Sequence, residues 1–297
     1  MGLAILIPVY NQIFYTKQCI KNLKKALVHY HTIIDTRMNS EIIVIDDGST
    51  DGTSEWLAEN HHDVTVLKGD GNLFWSAAIN MGIEHMLKAS EHSHILFWNK
   101  DLYIESDYFV TLHRILQTTN DRTILTSKMY RKNTPDLIFS FGGTYNPKTD
   151  KKVNIGTGKK DGPKFEKITK VDWCGGMAVI MPVAMFGEIG LCDAKSFPQY
   201  DGDTDLFLRA KDAGYDLHVY PDLKAWNLHE NTGKKDVYSF KNYLWYLNDI
   251  RSFKNLRISF RFLKKHSIGF FPYFFFVVRY VKFSLKYFTK TLLSYTK

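Results

Sequence analysis

The sequence predicts an α/β protein with a mostly parallel central sheet, helices on both faces and a helical C-terminal extension. Three observations support this. Short apolar segments alternate with longer segments whose apolar residues recur at helical spacing. Polar residues directly follow the apolar segments, and the composition changes beyond residue 235. Alternating strands and helices form βαβ units, which build parallel sheets.

The predicted strands lie mainly in the first hundred residues. Each is short, rich in Ile, Val, Leu or aromatic residues, and followed by polar or glycine-containing sequence. They are Leu3–Val9, Glu41–Asp46, Val64–Lys68 and His94–Trp98. Further strands are predicted at residues 177–181 and 216–221.

The predicted helices occupy the segments between these strands. From Thr16 to Tyr30, apolar residues recur at intervals of three and four, which places them on one face of a helix. Residues Thr53–Glu59 and Ala77–Lys88 have a similar pattern. Each helix is therefore expected to pack one apolar face against the sheet.

Polar side chains follow all four N-terminal strands. The residues are Asn11 with Gln12, Asp46 with Asp47, Asp70 with Asn72, and Asn99 with Asp101. A polar turn explains any one of these strand ends. In parallel sheets, however, ligands bind beyond the carboxyl ends of the strands. The repetition at four strand ends therefore favours a binding site.

The net charge of +8 is concentrated in the tail. Residues 251–297 contain 11 Lys or Arg and neither Asp nor Glu, and removing them leaves 28 basic against 31 acidic residues. This distribution argues against a nucleic-acid-binding body. The three cysteines have no paired spacing, so no disulfide framework or zinc knuckle is expected. The N-terminus shows no signal-peptide pattern, and a reducing, cytoplasmic location is expected.

The usual phosphate-binding glycine motifs are not found. GDGNLF and GTGKKDG do not match G-x-G-x-x-G, and no G-x-x-x-x-G-K-[ST] occurs. A dinucleotide dehydrogenase and a P-loop enzyme are therefore disfavoured. A divalent cation held by carboxylate is an alternative way to neutralise phosphate.

Four segments, in this order, resemble family 2 of the glycosyltransferases. They are ILIPVYNQ at 5–12, VIDDGSTDGT at 44–53, GNLFWSAAINMGI at 71–83 with FWNKD at 97–101, and YDGDTDLFLRAKDAGY at 200–215 with WNLHE at 226–230. The likeness spans about residues 3–235. It implies the Rossmann-like GT-A fold and an inverting reaction, and the family includes rhamnosyltransferase-like members.

The resemblance implies a site for a nucleotide-diphospho sugar, with a UDP- or dTDP-sugar as donor. The residues implied to bind it are Pro8, Tyr10, Asn11, Asp46, Asp47, Asn72, Trp75 and Asn99. Asp46 would accept a hydrogen bond from a nucleobase imide N–H. The alternative interpretation of Asp46 and Asp47 is an Asx turn with Gly48 and a helix cap from Ser49 or Thr50. Both interpretations can hold together.

The same resemblance implies a divalent cation. Asn99-Lys100-Asp101 occupies the place of the family's D-x-D motif, with Asn at the first position. Asp101 would ligate Mg²⁺ or Mn²⁺, which prefer oxygen ligands. His229 follows the acidic motif where the family has a histidine that contacts metal or diphosphate, although a lone histidine is more often structural.

The segment YDGDTD carries the implied catalytic base. Asp203 stands where the family has the aspartate of its E-D motif, and Gly202 replaces the glutamate. Asp203 would remove a proton from the acceptor hydroxyl. Asp201 is a competing candidate for the base, and acids at a helix N-terminus are also expected from the helix dipole alone. On the acceptor side the residues implied are Trp173, Gly175, Gly176 and Asp205. Asp205 could instead fix the helix.

The chain divides by pattern into residues 1–235, the GT-A region, and residues 236–297, a basic and aromatic helical region. Within the first, 1–101 would bind the nucleotide and 102–235 the acceptor. The last 47 residues contain 14 of the 44 aromatic residues. The apolar stretch 268–278 is too short to span a bilayer, and Pro272 is expected to interrupt it. This region predicts helices lying on an anionic membrane surface. The alternatives are packing on the body or on a second subunit, as in a homodimer.

The sequence thus predicts a metal-assisted glycosyltransferase that acts on a glycan or lipid-linked acceptor, in bacterial surface polysaccharide synthesis. Its location would be cytoplasmic, at the inner face of the cell membrane. One alternative is a sugar nucleotidyltransferase, which usually needs a glycine-rich, basic N-terminal loop that IPVYNQ does not provide. Another is a non-catalytic glycan-binding subunit. Asn99 and Gly202 keep this alternative open, because they differ from the family's D-x-D and E-D motifs.

Overall fold

The computed structural model of the chain describes residues 2–35, 38–89, 92–228, 235 and 237–295. The strands in chain order are β1 (Gly2–Val9), β2 (Asn39–Asp46), β3 (Val64–Lys68), β4 (His94–Phe97), β5 (Leu102–Tyr103), β6 (Thr123–Arg131), β7 (Thr134–Ser140), β8 (Gly143–Asn146), β9 (Lys151–Asn154), β10 (Thr169–Val171), β11 (Val179–Pro182) and β12 (Asp216–Asn227). The helices are α1 (Ile13–Ile33), α2 (Thr53–Asn60), α3 (Phe74–Ala89), α4 (Tyr108–Leu116), α5 (Ala184–Ile189), α6 (Gly202–Asp212), α7 (Phe240–Asn248), α8 (Leu256–His266) and α9 (Phe271–Tyr295).

Within the described residues, ten strands form one sheet. Its main order is β10-β12-β6-β11-β4-β1-β2-β3, with β5 beside β12 and β7 beside β6. The pairings of β1 with β2, β1 with β4, β2 with β3 and β6 with β12 are parallel. β11 runs antiparallel between β4 and β6. The predicted α/β architecture with a mostly parallel central sheet is therefore confirmed, with β11 as the reversed strand at its centre.

The residues of β1 alternate between the two faces of the sheet, as the pleat requires. Leu3, Ile5 and Ile7 pack in one apolar layer, whereas Ala4 and Leu6 pack in the other. The first layer includes buried residues of α1, α2 and α4. The second includes residues of α3, α5 and α6. Because both faces are covered there, β1, β4 and β11 at the centre of the sheet are buried along almost their whole length.

The C-terminal helices pack on this body. Ile258 and Phe262 of α8 are buried against Phe197 and Leu208. Arg279 of α9 donates to the buried Asp150 carboxylate, with 2.7 Å between Nη2 and Oδ2. These contacts show that packing on the body, one of the alternatives for this region, does occur.

Pro272 does not interrupt the apolar stretch, contrary to the prediction. α9 begins at Phe271, so Pro272 lies in its first turn. Proline fits there because the first N–H groups of a helix have no partner within the helix. Among the described residues, no helix combines the length and the apolar character needed to cross a bilayer.

A buried charge cluster joins α6 to α8. The Asp205 side chain is fully buried; its Oδ2 accepts from Arg209 Nε at 2.9 Å. Its Oδ1 lies 2.8 Å from His266 Nε2 and 2.7 Å from Lys265 Nζ. Burial alone would raise the pKa of Asp205, but the bonds from His266, Lys265 and Arg209 outweigh it and lower the pKa to about 2. The carboxylate therefore stabilises the folded state in its charged form.

We predict that this cluster makes folding acid-sensitive. The folded pKa lies below the ordinary value, so the stabilisation is present above pH 4 and is lost as pH falls from 4 towards 2. Asp205→Asn should lower the free energy of unfolding at pH 7 by about 3 kcal/mol, because it removes the buried carboxylate to which Arg209, Lys265 and His266 are bonded. The same substitution should also make the free energy of unfolding fall less steeply as the pH drops below 4. Urea denaturation at pH 3 to 7 measures both effects.

Asp212→Asn is the matched control, since Asp212 is exposed at the end of the same helix. Its stability should stay within about 0.5 kcal/mol of the native value. Equal acid sensitivity in native protein and Asp205→Asn would contradict the assignment of this cluster.

Candidate active site

A cleft of about 870 Å³ lies at the carboxyl ends of β1, β2, β3 and β4. Six of the predicted site residues line it: Pro8, Tyr10, Asp47, Trp75, Asn99 and Asp101. They come from separate segments of the chain, which the parallel sheet brings to one edge. The volume lies in the range of small-molecule binding sites.

The loops after β1 and β2 are hydrogen-bonded to each other. The Asn11 N–H donates to Ser49 Oγ at 2.7 Å, and the Thr50 N–H donates to Asn11 Oδ1 at 2.9 Å. Asp51 Oδ2 accepts from the Ile13 N–H at 2.7 Å, at the N-terminus of α1. The side chain of Asn11 is therefore used to hold the two loops together, and it is not among the described residues that line the cleft.

The two carboxylates at the end of β2 have different surroundings. Asp46 is buried; its Oδ1 accepts from the Ser49 N–H at 2.9 Å and its Oδ2 from the Ser54 hydroxyl. The Asp46 side chain thus closes its own loop as a local alternative, but through Ser49, three residues on, and not through an Asx turn two residues on at Gly48. The helix cap predicted from Ser49 or Thr50 is wrong, because the N-cap of α2 is Gly52 and has no side-chain cap. The role of Asp46 towards a nucleobase remains a prediction. Asp47, in contrast, lines the cleft.

Asp47 holds the loop that precedes α3. Its Oδ1 accepts from the Gly71 N–H at 2.9 Å, and its Oδ2 accepts from the N–H groups of Leu73 at 3.0 Å and Phe74 at 3.2 Å. Phe74 begins α3, where helices leave backbone donors unpaired, whereas Gly71 and Leu73 belong to the loop before it. Negative charge is also favoured at a helix N-terminus. Asp47 therefore fixes this loop and the first turn of α3.

Trp75 forms one wall of the cleft. Its ring packs edge-on against Phe97, with 5.8 Å between the ring centroids. A Cβ at position 176 would lie 2.2 Å from the Trp75 ring, so only glycine fits there. Gly176 thereby places the backbone of the 175–178 segment directly behind Trp75.

The turn after β4 brings Asn99 and Asp101 to the cleft. Lys100, between them, donates from Nζ to the carbonyl oxygens of Tyr10 at 2.7 Å and Asn11 at 3.0 Å. Burial lowers the pKa of Lys100, and nearby Asp101 partly opposes this effect. Lys100 therefore fastens the turn that carries Asn99 and Asp101 to the loop after β1.

Asp203 lies in the first turn of α6. Its Oδ2 accepts from the Gly176 N–H at 2.9 Å and its Oδ1 from the Thr204 N–H at 2.7 Å. Burial raises the pKa of the carboxyl group, although these two N–H groups oppose the shift. Asp203 is one residue removed from the cleft wall, because its partner Gly176 contacts Trp75. Among the described residues, it is not one of those that line the cleft.

The neighbouring acids are engaged differently. Asp201, the competing candidate for the base, is ion-paired with Lys152 of β9. Asp205 is fully buried in the cluster with Arg209, Lys265 and His266. This arrangement supports the alternative in which Asp205 fixes the helix.

The remaining predicted residues lie apart from the cleft lining. Asn72 is exposed in the loop held by Asp47. Trp173 donates from Nε1 to the Thr144 carbonyl at 3.1 Å and covers Gly143. Gly175 adjoins Gly176 on the segment before β11. His229 lies outside the described residues, so its placement is left open here.

Several cleft residues were not predicted. Tyr200 begins the acidic motif and Gln199 directly precedes it, so proximity to the motif could have indicated both. Gln12 was named as a polar strand end, although no role was assigned to it. Residues 248–251 also line the cleft. They belong to the C-terminal region, and no local pattern in that part of the sequence connects them with the strand ends.

Comparison with known sequences finds one matching protein family and several similar proteins. The model for glycosyl transferase family 2 matches residues 4–180 of this chain. The glycosyltransferase GlyA of Streptococcus pneumoniae is 29% identical over 160 residues, covering 52% of this chain and 21% of that protein. GlyG of the same species is 25% identical over 143 residues, covering 47% and 42% of the two chains. The chain therefore matches less than half of either relative.

Comparison with solved structures supports the same fold. Residues 1–349 of S. aureus TarS superpose with a TM-score of 0.51 at 16% identity, covering 77% of this chain and 60% of that one. GalNAc-T7, solved with UDP, GalNAc and Mn²⁺, gives a TM-score of 0.58 at 11% identity, covering 96% and 57%. The fold is thus that of the GT-A glycosyltransferases.

We predict that Gly202 cannot be enlarged without loss of stability. A Cβ at this position would lie 2.3 Å from Ser76 Oγ and 2.9 Å from the Phe197 carbonyl oxygen. Gly202→Ala should therefore lower the free energy of unfolding by about 1–3 kcal/mol, as overpacking does. Gly187→Ala is the matched control, because Gly187 is also helical and a Cβ there meets no atom within 4 Å. Urea denaturation distinguishes the two; equal stability of both variants would contradict close packing at Gly202.

Proposed function

The chain belongs to glycosyl transferase family 2, and we propose that it moves a sugar from a nucleotide-diphospho donor to a hydroxyl group, with inversion. One observation carries this proposal. Residues from all four N-terminal strand ends, including Asp47, Trp75 and Asp101, meet in one cleft large enough for a nucleotide sugar. The donor would be a UDP- or dTDP-sugar; GalNAc-T7, which has the same fold, was solved with UDP.

In this proposal, the nucleotide lies along the ends of β1 and β2. Pro8 and Tyr10 form the part of the cleft nearest β1. Asp46 and Asn11 stabilise the two loops that frame it, as their hydrogen bonds show. Trp75 offers an aromatic surface to the sugar, while Asn72 stands on the loop that Asp47 holds.

The residues present fit a divalent cation that would be held partly by the protein and partly by the phosphates of the donor. Asp101 and Asn99 both face the cleft, and both have oxygen atoms able to ligate Mg²⁺ or Mn²⁺. Among the described residues there is no group of three or more His, Cys, Asp or Glu suited to a metal. Such a site suits Mg²⁺, which is usually held by one or two carboxylates together with substrate phosphates. When bound, the ion supplies positive charge that stabilises the leaving diphosphate.

His229 remains a proposed ligand of the same site. Leu228, the last described residue before it, donates its N–H to the Asp101 carbonyl at 2.8 Å. This bond supports the proposal, since it brings the end of β12 beside the turn that carries Asp101.

Asp203 is proposed as the general base. The proton of the acceptor hydroxyl passes to the Asp203 carboxylate as the oxygen forms its bond to the anomeric carbon. The bond from that carbon to the diphosphate oxygen breaks, and the nucleoside diphosphate leaves from the opposite face. The raised pKa makes Asp203 a stronger base than an ordinary aspartate. The acceptor would approach on the side of Trp173 and Gly175, and Asp205 anchors the helix that carries the base.

The proposed acceptor is a glycan or a lipid-linked sugar of a bacterial surface polysaccharide, of the kind that rhamnosyltransferase-like members build. The proposed location is the cytoplasmic face of the cell membrane. Residues 1–235 would form the catalytic region, with 1–101 binding the nucleotide and 102–235 the acceptor. Residues 236–297 would bring the enzyme to the lipid surface.

The surface of α9 supports this membrane contact. A row of apolar side chains at helical spacing is exposed: Phe274, Val277, Val281, Leu285, Phe288 and Leu292. Phe276 and Tyr287, on another side of the helix, are buried. Lys282 and Lys286 are exposed beside the apolar row. An apolar face flanked by lysines is typical of helices that lie in the interface of an anionic membrane.

Charge favours the membrane over a second copy of the chain. Residues 251–297 carry 11 Lys or Arg without Asp or Glu. Two such faces would repel each other, whereas anionic lipid head groups attract them. Each Lys near such a surface contributes about 1 kcal/mol of binding.

We predict that Asp101→Ala and Asp203→Asn each lower the rate of sugar transfer by about 100-fold or more, since they remove charge stabilisation and proton transfer respectively. The exposed Asp222→Asn on β12 should retain the native rate. The measurement is release of nucleoside diphosphate from a panel of nucleotide sugars with Mn²⁺, alongside circular dichroism to check folding. Full activity in both variants would refute the assigned roles. Release of pyrophosphate instead would favour a nucleotidyltransferase, and binding without turnover a glycan-binding subunit.

We also predict that Lys282→Glu/Lys286→Glu weakens binding to vesicles containing phosphatidylglycerol by at least about 10-fold. The matched control is Lys21→Glu/Lys25→Glu, which reverses two exposed lysines on α1. Vesicle flotation measures the binding, and phosphatidylcholine vesicles should bind neither form well. Equal binding by the two double variants would exclude α9 as the docking surface. A native dimer that the α9 variant dissociates would identify a second copy as the partner instead.

A further inference from the structure

The connection between α7 and α8 forms part of the cleft. Asn248, Asp249, Ile250 and Arg251 line it together with Asn99 and Asp101. The donor cleft therefore extends beyond the strand ends, and its additional wall comes from a segment about 150 residues later in the chain than Asp101.

This wall is fixed by buried polar side chains. The Asn255 Nδ2 donates to the carbonyl oxygens of Asn248 at 2.8 Å and Asp249 at 3.1 Å. Asn255 also caps the N-terminus of α8, because its Oδ1 accepts from the Ile258 N–H at 2.9 Å. The Ser252 hydroxyl donates to the Tyr246 carbonyl at 2.7 Å. Both Asn255 and Ser252 are buried, so the wall is held in one conformation by α7 and α8.

Among the described residues, Lys100 and Arg251 are the cationic side chains that line the cleft. Lys100 donates to two backbone carbonyls, of Tyr10 and Asn11. Arg251 is held by Asp249 through two hydrogen bonds, from Nε at 2.9 Å and from Nη2 at 3.0 Å. A guanidinium group has five N–H donors, so this pairing orients Arg251 and leaves further donors for a ligand. Its side chain remains 69% exposed.

We propose that Arg251 binds the diphosphate of the nucleotide donor, from the wall of the cleft that the connection between α7 and α8 supplies. This inference rests on the proposed function and assigns a specific partner to the leaving group. A guanidinium group matches phosphate oxygens in a bidentate manner. Arg251 thus adds positive charge to a cleft whose other cationic lining residue in the described part of the chain, Lys100, is bonded to two backbone carbonyls. In this way the C-terminal region becomes part of the donor site.

The test compares nucleoside diphosphates with monophosphates in isothermal titration calorimetry, using UDP, UMP, dTDP and dTMP. Arg251→Ala should lower the affinity for whichever nucleoside diphosphate the native protein binds, by about 10- to 100-fold. It should change the affinity for the matching monophosphate by less than about twofold. Arg251→Lys should fall between the two, since lysine keeps the charge but not the bidentate geometry. The diphosphate effect should persist in EDTA, because the contact is made by the side chain itself.

Arg257→Ala is the matched control, because Arg257 is exposed on α8 and does not line the cleft. It should bind both nucleotides as the native protein does. Native affinity of Arg251→Ala for the diphosphate would overturn the inference while leaving the proposed function intact. Equal loss of diphosphate and monophosphate would also overturn it, since that result indicates collapse of the wall. If the native protein binds neither diphosphate, the donor assignment itself fails.

Discussion

The candidate site depends on one carboxylate, Asp47, which joins the end of β2 to the loop before α3 and to the first turn of α3. It stands at the end of β2, lines the cleft, and accepts hydrogen bonds from the backbone of the loop before α3. One of these bonds satisfies the Phe74 N–H, which the N-terminus of α3 would otherwise leave unpaired. Because the bonds fix the first turn of α3, they also fix Trp75 in the cleft wall. The neighbouring Asp46 stabilises the loop after β2 instead, because it accepts hydrogen bonds from the Ser49 N–H and the Ser54 hydroxyl.

A second constraint comes from close backbone packing around α6. Gly202 and Gly176 each stand where a Cβ would overlap a neighbour, Ser76 in one case and Trp75 in the other. The close approach at Gly176 lets its N–H reach the Asp203 carboxylate at 2.9 Å. Glycine at position 202 therefore has a packing reason in this chain, since a longer side chain has no space there.

The C-terminal helices belong to the body as well as to its surface. Asp205 is bonded to α8 through Lys265 and His266, and Asp150 is bonded to α9 through Arg279. Both acids are buried, so each would be costly to leave without its cation. The same helices present an apolar and basic outer face and position the wall that carries Arg251.

The sequence by itself determined β1 to β4, β11, the start of β12 and the strand-end residues Asp47, Asn99 and Asp101, because strand periodicity and polar strand ends are local features. The cleft residues Pro8, Tyr10 and Trp75 were implied only by the resemblance to the family. The strands β5, β6, β7 and β10 of the same sheet were not predicted. The sequence predicted the wrong effect for Pro272, because the start of a helix and its interruption look alike when the flanking residues are all apolar. Only the tertiary structure decided that Asp205 is a buried anchor and that residues 248–251 complete the cleft. Those facts arise from contacts between segments far apart in the chain, and such contacts leave no periodic pattern in the segments that make them.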